Sequence, residues 1–285
     1  MIEAPPVRRL LLGSALRQYR ENLGYLLEDA ARVLECDRSK ISRIETGQRG
    51  IRPKELRELL TEYGVSEQEQ GTLTALAQTG LRSNRYQEYG DSVPGPYREY
   101  LALEQAASDI LIYEPQRLPH LLQTPEYLQA SMAADLLGAR TGSLAKLTLD
   151  RQKTLSQQRP RLTAVIGEAA LRQMHGDAEV IRHQLTALAH VDERVIIQVL
   201  PSGRGAPPSG PATILRFVVP PGLGAVYLPA LSGGICLVSQ RDVANYIRAF
   251  ERLRAAALTS AVSAQLIQTI AAGTNQGPGK VVHAV

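Results

Sequence analysis

The chain has 285 residues, 44% of them hydrophobic, a formal net charge of +4, and two cysteines, Cys36 and Cys236. That length accommodates one large or two ordinary domains. No apolar run approaches the ~18 residues that span a bilayer, and two distant cysteines without CxxC spacing argue against a disulfide or metal framework. The charge is mild for a protein that binds a polyanion, so its distribution along the chain is more informative than its total.

The opening, MIEAPPVRRLLLGSALRQYRENLG, breaks into charges too soon for a signal peptide, and a cytoplasmic location is expected. Leu12, Leu16, Tyr19 and Leu23 then recur at helical spacing up to Gly24. LLEDAARVL reads as a second short helix with Ala30, Ala31 and Leu34 inward, and Glu35-Cys36-Asp37 connect it to a third. In that third helix Asp37 is a suitable N-cap and Gly47 a suitable left-handed stop. Ile41 and Ile44 form a narrow apolar stripe, while Arg38, Ser39, Lys40, Ser42 and Arg43 project from the remaining surface. From Arg38 to Arg57 seven basic residues (Arg38, Lys40, Arg43, Arg49, Arg52, Lys54, Arg57) face two acidic ones, Glu45 and Glu55. RPKELRELLTEYG, with Pro53 in its first turn, and SEQEQGTLTALAQTG, opened by a Ser66/Glu69 capping box, complete a five-helix all-α helix-turn-helix domain over residues 1–81.

Residues 12–80, and SKISRIETGQR in particular, resemble the Xre-type helix-turn-helix of phage repressors and many bacterial regulators. The resemblance implies a structural pair between Arg20 and Glu45. Two positions depart from its pattern: Glu35 stands where a glycine is usual in the turn, and Leu26-Leu27 replace the polar pair that often opens the second helix. In such a domain the first residues of the third helix face base edges in the major groove, and arginine matches guanine O6 and N7. Arg38 and Arg43 are the leading base-reading candidates, with Ser39, Lys40 and Ser42 beside them. Arg49, Arg52 and Lys54 are phosphate-contact candidates.

Pro94, Gly95 and Pro96 mark a linker from 82 to 96. A larger α+β domain is expected over 97–273, with a flexible tail at 274–285. Its helices are expected near 97–112, 125–138, 144–158, 177–190, 240–257 and 260–272. LTAVIG, RVIIQVLP, ATILRFVV, GAVYLPAL and GICLVS are expected to form a small, mostly antiparallel sheet flanked by helices. YEPQRLPHLLQTPEYLQA, DRQKTL, GEAALRQMHGDAEVIRHQLTAL, IIQVLP and FERLRAAALTSAVSAQLIQTIA resemble, in that order, the C-terminal domain that follows an Xre-type helix-turn-helix in many actinobacterial regulators.

No GxSxG elbow, HExxH, Walker loop or strand-borne GxGxxG is present in the sequence, so no enzyme and no cofactor is expected. Tyr113, Glu114, Gln123, Tyr127, Arg151, Gln152 and Glu168 are candidates for an effector or partner pocket, Arg151 because its planar cation suits an anionic group. A second reading of Arg151 has it pairing with Glu168 or Glu114 as scaffold. Together these features point to a homodimeric transcriptional regulator that binds double-stranded operator DNA and senses a small molecule or a protein partner. The alternative is an antitoxin-like protein that neutralises a small partner and autoregulates its operon.

Overall fold

The computed structural model describes residues 6–82, 89, 93–134, 141–203, 210–218, 222–230 and 233–274. Five helices come first: α1 Val7–Asn22, α2 Leu27–Val33, α3 Arg38–Glu45, α4 Pro53–Glu62 and α5 Glu67–Arg82. Local chemistry sets their ends. Gly24, Gly47 and Gly64 all take positive φ after α1, α3 and α4, the left-handed stop that costs glycine least. Ser66 N donates to Glu69 Oε2 at 3.2 Å and Glu69 N to Ser66 Oγ at 3.4 Å, the reciprocal box expected ahead of α5. Asp37 holds the N-cap position of α3 with an extended backbone but makes no side-chain capping bond.

Leu11, Ala15 and Leu16 of α1, Ala30 of α2, Ile41 and Ile44 of α3, Leu56, Leu59 and Leu60 of α4, and Leu73 and Leu76 of α5 are all 3% exposed or less. Each such aliphatic side chain contributes about 1.5–3 kcal/mol by leaving water, which is how helices this short are held. The closest backbone approach is at Gly13, where an added Cβ would lie 2.5 Å from the carbonyl oxygens of both Ile44 and Glu45. Leu23, the last of the residues at helical spacing, is 45% exposed, because α1 stops at Asn22 and Leu23 falls in its cap.

The remaining elements are α6 Gly95–Glu104, β1 Asp109–Glu114, α7 Pro125–Ala134, α8 Thr141–Gln158, β2 Arg161–Gly167, α9 Glu168–Arg172, α10 Ala178–Ala189, β3 Val195–Leu200, β4 Ala212–Arg216, β5 Gly224–Leu228, β6 Ile235–Leu237, α11 Gln240–Ala256 and α12 Ser260–Gly273. The class is α+β: a six-stranded, mostly antiparallel sheet in the order β3-β2-β1-β4-β5-β6, flanked by helices. β2 and β3 run parallel, with Leu162 opposite Val195. Gly167, which ends β2, lies so close to Pro115 that a Cβ would collide with its carbonyl oxygen, so β1 and β2 end on the same side. Beyond β1 the direction alternates. Ser108 N, just before β1, donates to Arg216 O at the end of β4 at 2.9 Å, and β4–β5 and β5–β6 are antiparallel pairs.

The helix expected at 97–112 is corrected by the structure, which ends α6 at Glu104 and makes Asp109–Glu114 a strand. DILIYE is a short apolar run with no helical period, buried at its first five residues and half-buried at the last. Residues 83–88, 90–92, 135–138 and 275–285, which carry most of the expected linker, the end of the helix after Pro125 and nearly all of the expected tail, lie outside the described residues.

Two compact units emerge from the packing: residues 1–110 with 212–248, and residues 111–211 with 249–285. In the first, Tyr97, Tyr100 and Tyr227 form a triangular cluster in which each ring meets the other two, with Tyr100 and Tyr227 centroids 4.3 Å apart. In the second, the junction of α11 and α12 seals the open edge of β3. Val199 N donates to Ser263 Oγ at 2.9 Å, Leu258 N to Val199 O at 2.9 Å, and Gln198 Nε2 to Leu258 O at 3.0 Å. An edge covered in this way cannot template pairing with another chain. Among the described residues no single helix is long and apolar enough to cross a membrane.

Candidate nucleic-acid interface

Ile41 and Ile44, 1% and 3% exposed, fasten α3 to the helices behind it and fix which of its residues reach solvent. Arg38, Ser39 and Arg43 are exposed and Ser42 is half-buried. Ser42 O accepts from Thr46 N at 3.0 Å and from Thr46 Oγ1 at 2.8 Å, closing the helix. Arg49, Arg52 and Lys54, beyond the end of α3, are also exposed, with Lys54 Nζ 3.7 Å from Glu58.

Lys40 departs from the expected group. Its Nζ lies 2.8 Å from Glu55 Oε1, and both side chains are only 18% exposed. Glu55 also accepts from Arg52 N at 3.2 Å, and its carboxyl is held below the ordinary range, chiefly by the Lys40 hydrogen bond. The Lys40 charge is thereby spent within the domain, tying α3 to α4.

Arg20 and Glu45 meet behind α3. Arg20 Nε and Nη2 donate to Glu45 Oε1 and Oε2 at 2.7 and 2.8 Å, and Nη1 donates to Tyr25 O at 2.7 Å. The side chains are 8% and 5% exposed. Glu45 holds the Arg20 guanidinium further above its ordinary value than burial lowers it. The pair joins α1 to the last residue of α3, so the direction of the exposed face depends on it.

Two features here were not legible in advance. Glu28, in the first turn of α2, accepts from Arg38 Nη1 at 3.1 Å. Its position ten residues ahead of Arg38, across the turn, was the available signal. Glu35 has φ +46°, the left-handed backbone that its place in the turn requires.

The pocket candidates of the second region fall into separate roles. Three amide side chains hold the irregular segment 118–124. Gln123 Nε2 donates to Leu118 O at 2.9 Å, Gln152 Nε2 donates to His120 O and Gln123 O, both at 2.8 Å, and Gln184 Nε2 donates to Leu122 O at 2.8 Å while its Oε1 accepts from Thr124 N at 2.6 Å. Gln123 and Gln152 therefore satisfy backbone carbonyls, and Gln184, fully buried, was not foreseen in this role. Tyr113 and Glu114 are consecutive on β1 and leave the sheet on opposite faces, so they do not line one pocket. Burial pushes the Glu114 carboxyl up to about 7, with the nearby Arg117 charge opposing it. Burial acts in the same direction on Glu168, but Arg172 at 2.6 Å and Ser202 N at 3.1 Å outweigh it and hold that carboxyl below its ordinary value. Tyr127 and Arg151 are buried, at 3% and 4% exposure.

A short helix anchored by two isoleucines, packed across a tight turn from its predecessor and presenting arginines and serines outward, defines the class as helix-turn-helix DNA-binding protein. A helix-turn-helix domain family matches residues 11–73. The remainder of the chain supplies the particular family: a domain of unknown function, DUF5753, matches residues 97–269, more than half of the chain, and the protein belongs to that family. No curated protein and no solved structure matches it.

Proposed function

We propose that the protein is a sequence-specific transcriptional regulator of the Xre type that acts in the cytoplasm. Its α3 enters the major groove with Arg38 and Arg43 at base edges and Ser39 and Ser42 beside them, and Arg49, Arg52 and Lys54 lie along phosphates. The observation that carries this reading is the exposed polar face of α3, held in one orientation by Ile41, Ile44 and the buried Arg20–Glu45 pair. The second domain, residues 97–273, which carries the DUF5753 match, serves as the dimerisation and signal-receiving domain after a linker at 82–96. One helix-turn-helix covers half a site, and a two-fold dimer presents two, about one helical turn apart.

The test is selection from a randomised duplex library by the full-length chain. A defined enriched sequence is expected, on which Arg43→Ala costs about 1–3 kcal/mol and relaxes one base pair. Equal losses on the enriched and on random duplexes would remove Arg43 from base readout. Light scattering of the same sample is expected to give a dimer, and a monomer at working concentration would overturn the assignment of dimerisation.

A further inference from the structure

Arg38 opens α3 with 72% of its side chain in solvent, where a long flexible arginine ordinarily samples many rotamers. Its Nη1 nevertheless donates to Glu28 Oε1 at 3.1 Å, across the turn from α2. Glu28 had a local alternative in Arg32, four residues on along the same helix, the spacing at which such pairs normally form. Arg32 instead pairs with Asp29. The Glu28 carboxyl is thus directed at the first residue of α3, and its own backbone N–H together with Arg38 keeps it below the ordinary carboxyl range.

The guanidinium geometry gives this contact a consequence. With Nη1 on Glu28, Nε and Nη2 of Arg38 remain, the same edge by which Arg20 grips both oxygens of Glu45. Guanine O6 and N7 require two parallel donors of this kind. We propose that Glu28 is a positioning residue for base readout: it fixes the Arg38 guanidinium so that its Nε/Nη2 edge faces a guanine, and it does so without needing to touch DNA itself. The proposal rests on the reading that α3 occupies the major groove.

A positioning role differs from a scaffold role in the sign of its effects. An exposed ion pair adds little to stability, so Glu28→Ala leaves the fold intact. Removing a carboxylate near the phosphate backbone makes the surface more positive, so affinity for random duplex stays level or rises. Freeing Arg38 flattens the preference at one base pair, roughly tenfold for a lost bidentate arrangement.

The experiment is library selection with full-length wild type, Glu28→Ala, Glu28→Gln, Arg38→Ala and the double alanine variant, followed by affinity measurement on the wild-type consensus and on random duplex. Under the proposal Glu28→Ala and Arg38→Ala flatten the same single position, the double variant flattens it no further, and Glu28→Gln, which keeps an acceptor for Nη1, retains most of the preference. An unchanged preference in Glu28→Ala, or a uniform loss at every position, overturns the proposal while leaving DNA recognition by α3 intact. If wild type enriches no sequence at all, the reading beneath it falls as well.

Discussion

Replacing either member of the Arg20–Glu45 pair is the sharpest available perturbation of the helix-turn-helix. The two side chains share two hydrogen bonds of 2.7 and 2.8 Å at 8% and 5% exposure, so loss of one partner leaves the other as a desolvated, unmatched charge. Breaking such a pair from one side costs about 3–5 kcal/mol. A helical domain of this size is stable by roughly 4–11 kcal/mol in all, so Glu45→Gln or Arg20→Gln removes about a quarter of it or more. Arg20 Nη1 also satisfies Tyr25 O, which makes Arg20→Gln the costlier of the two. The double variant leaves no uncompensated charge and loses less than the sum of the singles, by about 0.5–3 kcal/mol. Amide hydrogen exchange of the full-length chain, read on peptides from α1 and α3, is the assay. At about 1.4 kcal/mol per factor of ten, exchange there accelerates by roughly two to four orders of magnitude in the single variants, while β2 and β3 peptides stay unchanged. Strictly additive effects, or equal acceleration in β2 and β3, would refute the argument.

Glu35→Gly relieves a left-handed backbone at φ +46° in an exposed turn residue, at the cost of a more flexible unfolded chain, and is expected to stabilise by about 0.5 kcal/mol; an unchanged or lower melting temperature would show that the turn tolerates glutamate without strain. Lys54→Ala is expected to weaken binding equally on all duplexes and to reduce the slope of log affinity against log salt by about one unit, and an unaltered slope removes Lys54 from the phosphate contacts. Tyr63→Phe deletes a buried hydroxyl that has no hydrogen-bond partner among the described residues, so melting should hold steady or rise, and a fall of more than a degree or two would reveal a bond to that hydroxyl. Burial raises the Glu114 carboxyl from the ordinary range to about 7. The folded state then binds more protons than the unfolded state between about pH 4.5 and 7, so stability is fullest below that window and falls as pH rises through it, by at most about 3 kcal/mol. Glu114→Gln should abolish that slope, and parallel melting profiles for variant and wild type from pH 5 to 8 would contradict it.

The helix-turn-helix was legible because its determinants are local. Gly24, Gly47 and Gly64, Pro53 and the Ser66/Glu69 box each act within a turn of the residues they terminate or start. The second region is held by contacts that span long stretches of chain. Gln184 reaches Leu122 and Thr124 across some sixty residues, and Ser263 reaches Val199 across sixty-four. Neither link leaves a periodic trace. β1 was absorbed into the preceding helix because DILIYE, buried along nearly its whole length, lacks the alternation that marks a half-buried strand.

The basic stretch from Arg38 to Arg57 shows why counting charges understates a surface. Seven cations against two carboxylates suggests a moderate excess, yet each carboxylate is ion-paired with a cation inside the domain. Glu45 is buried against Arg20, which lies outside the stretch, and Glu55 is matched to Lys40 inside the domain. Arg38, Arg43, Arg49, Arg52, Lys54 and Arg57 remain outward, and among the described residues none of them is ion-paired with an acidic residue of the stretch. Two of these six are met from elsewhere, Arg38 by Glu28 and Lys54, more loosely, by Glu58. Arg43, Arg49, Arg52 and Arg57 make no ion pair among the described residues. The cations therefore divide by chemistry rather than by position in the sequence. Lys40 holds the scaffold, Arg38 is met by a carboxylate, and the unpaired arginines present a positive field that salt screens. Under the proposed reading Arg38 and Arg43 choose the sequence while Arg49, Arg52 and Lys54 supply salt-dependent affinity, so a substitution can alter one while leaving the other in place.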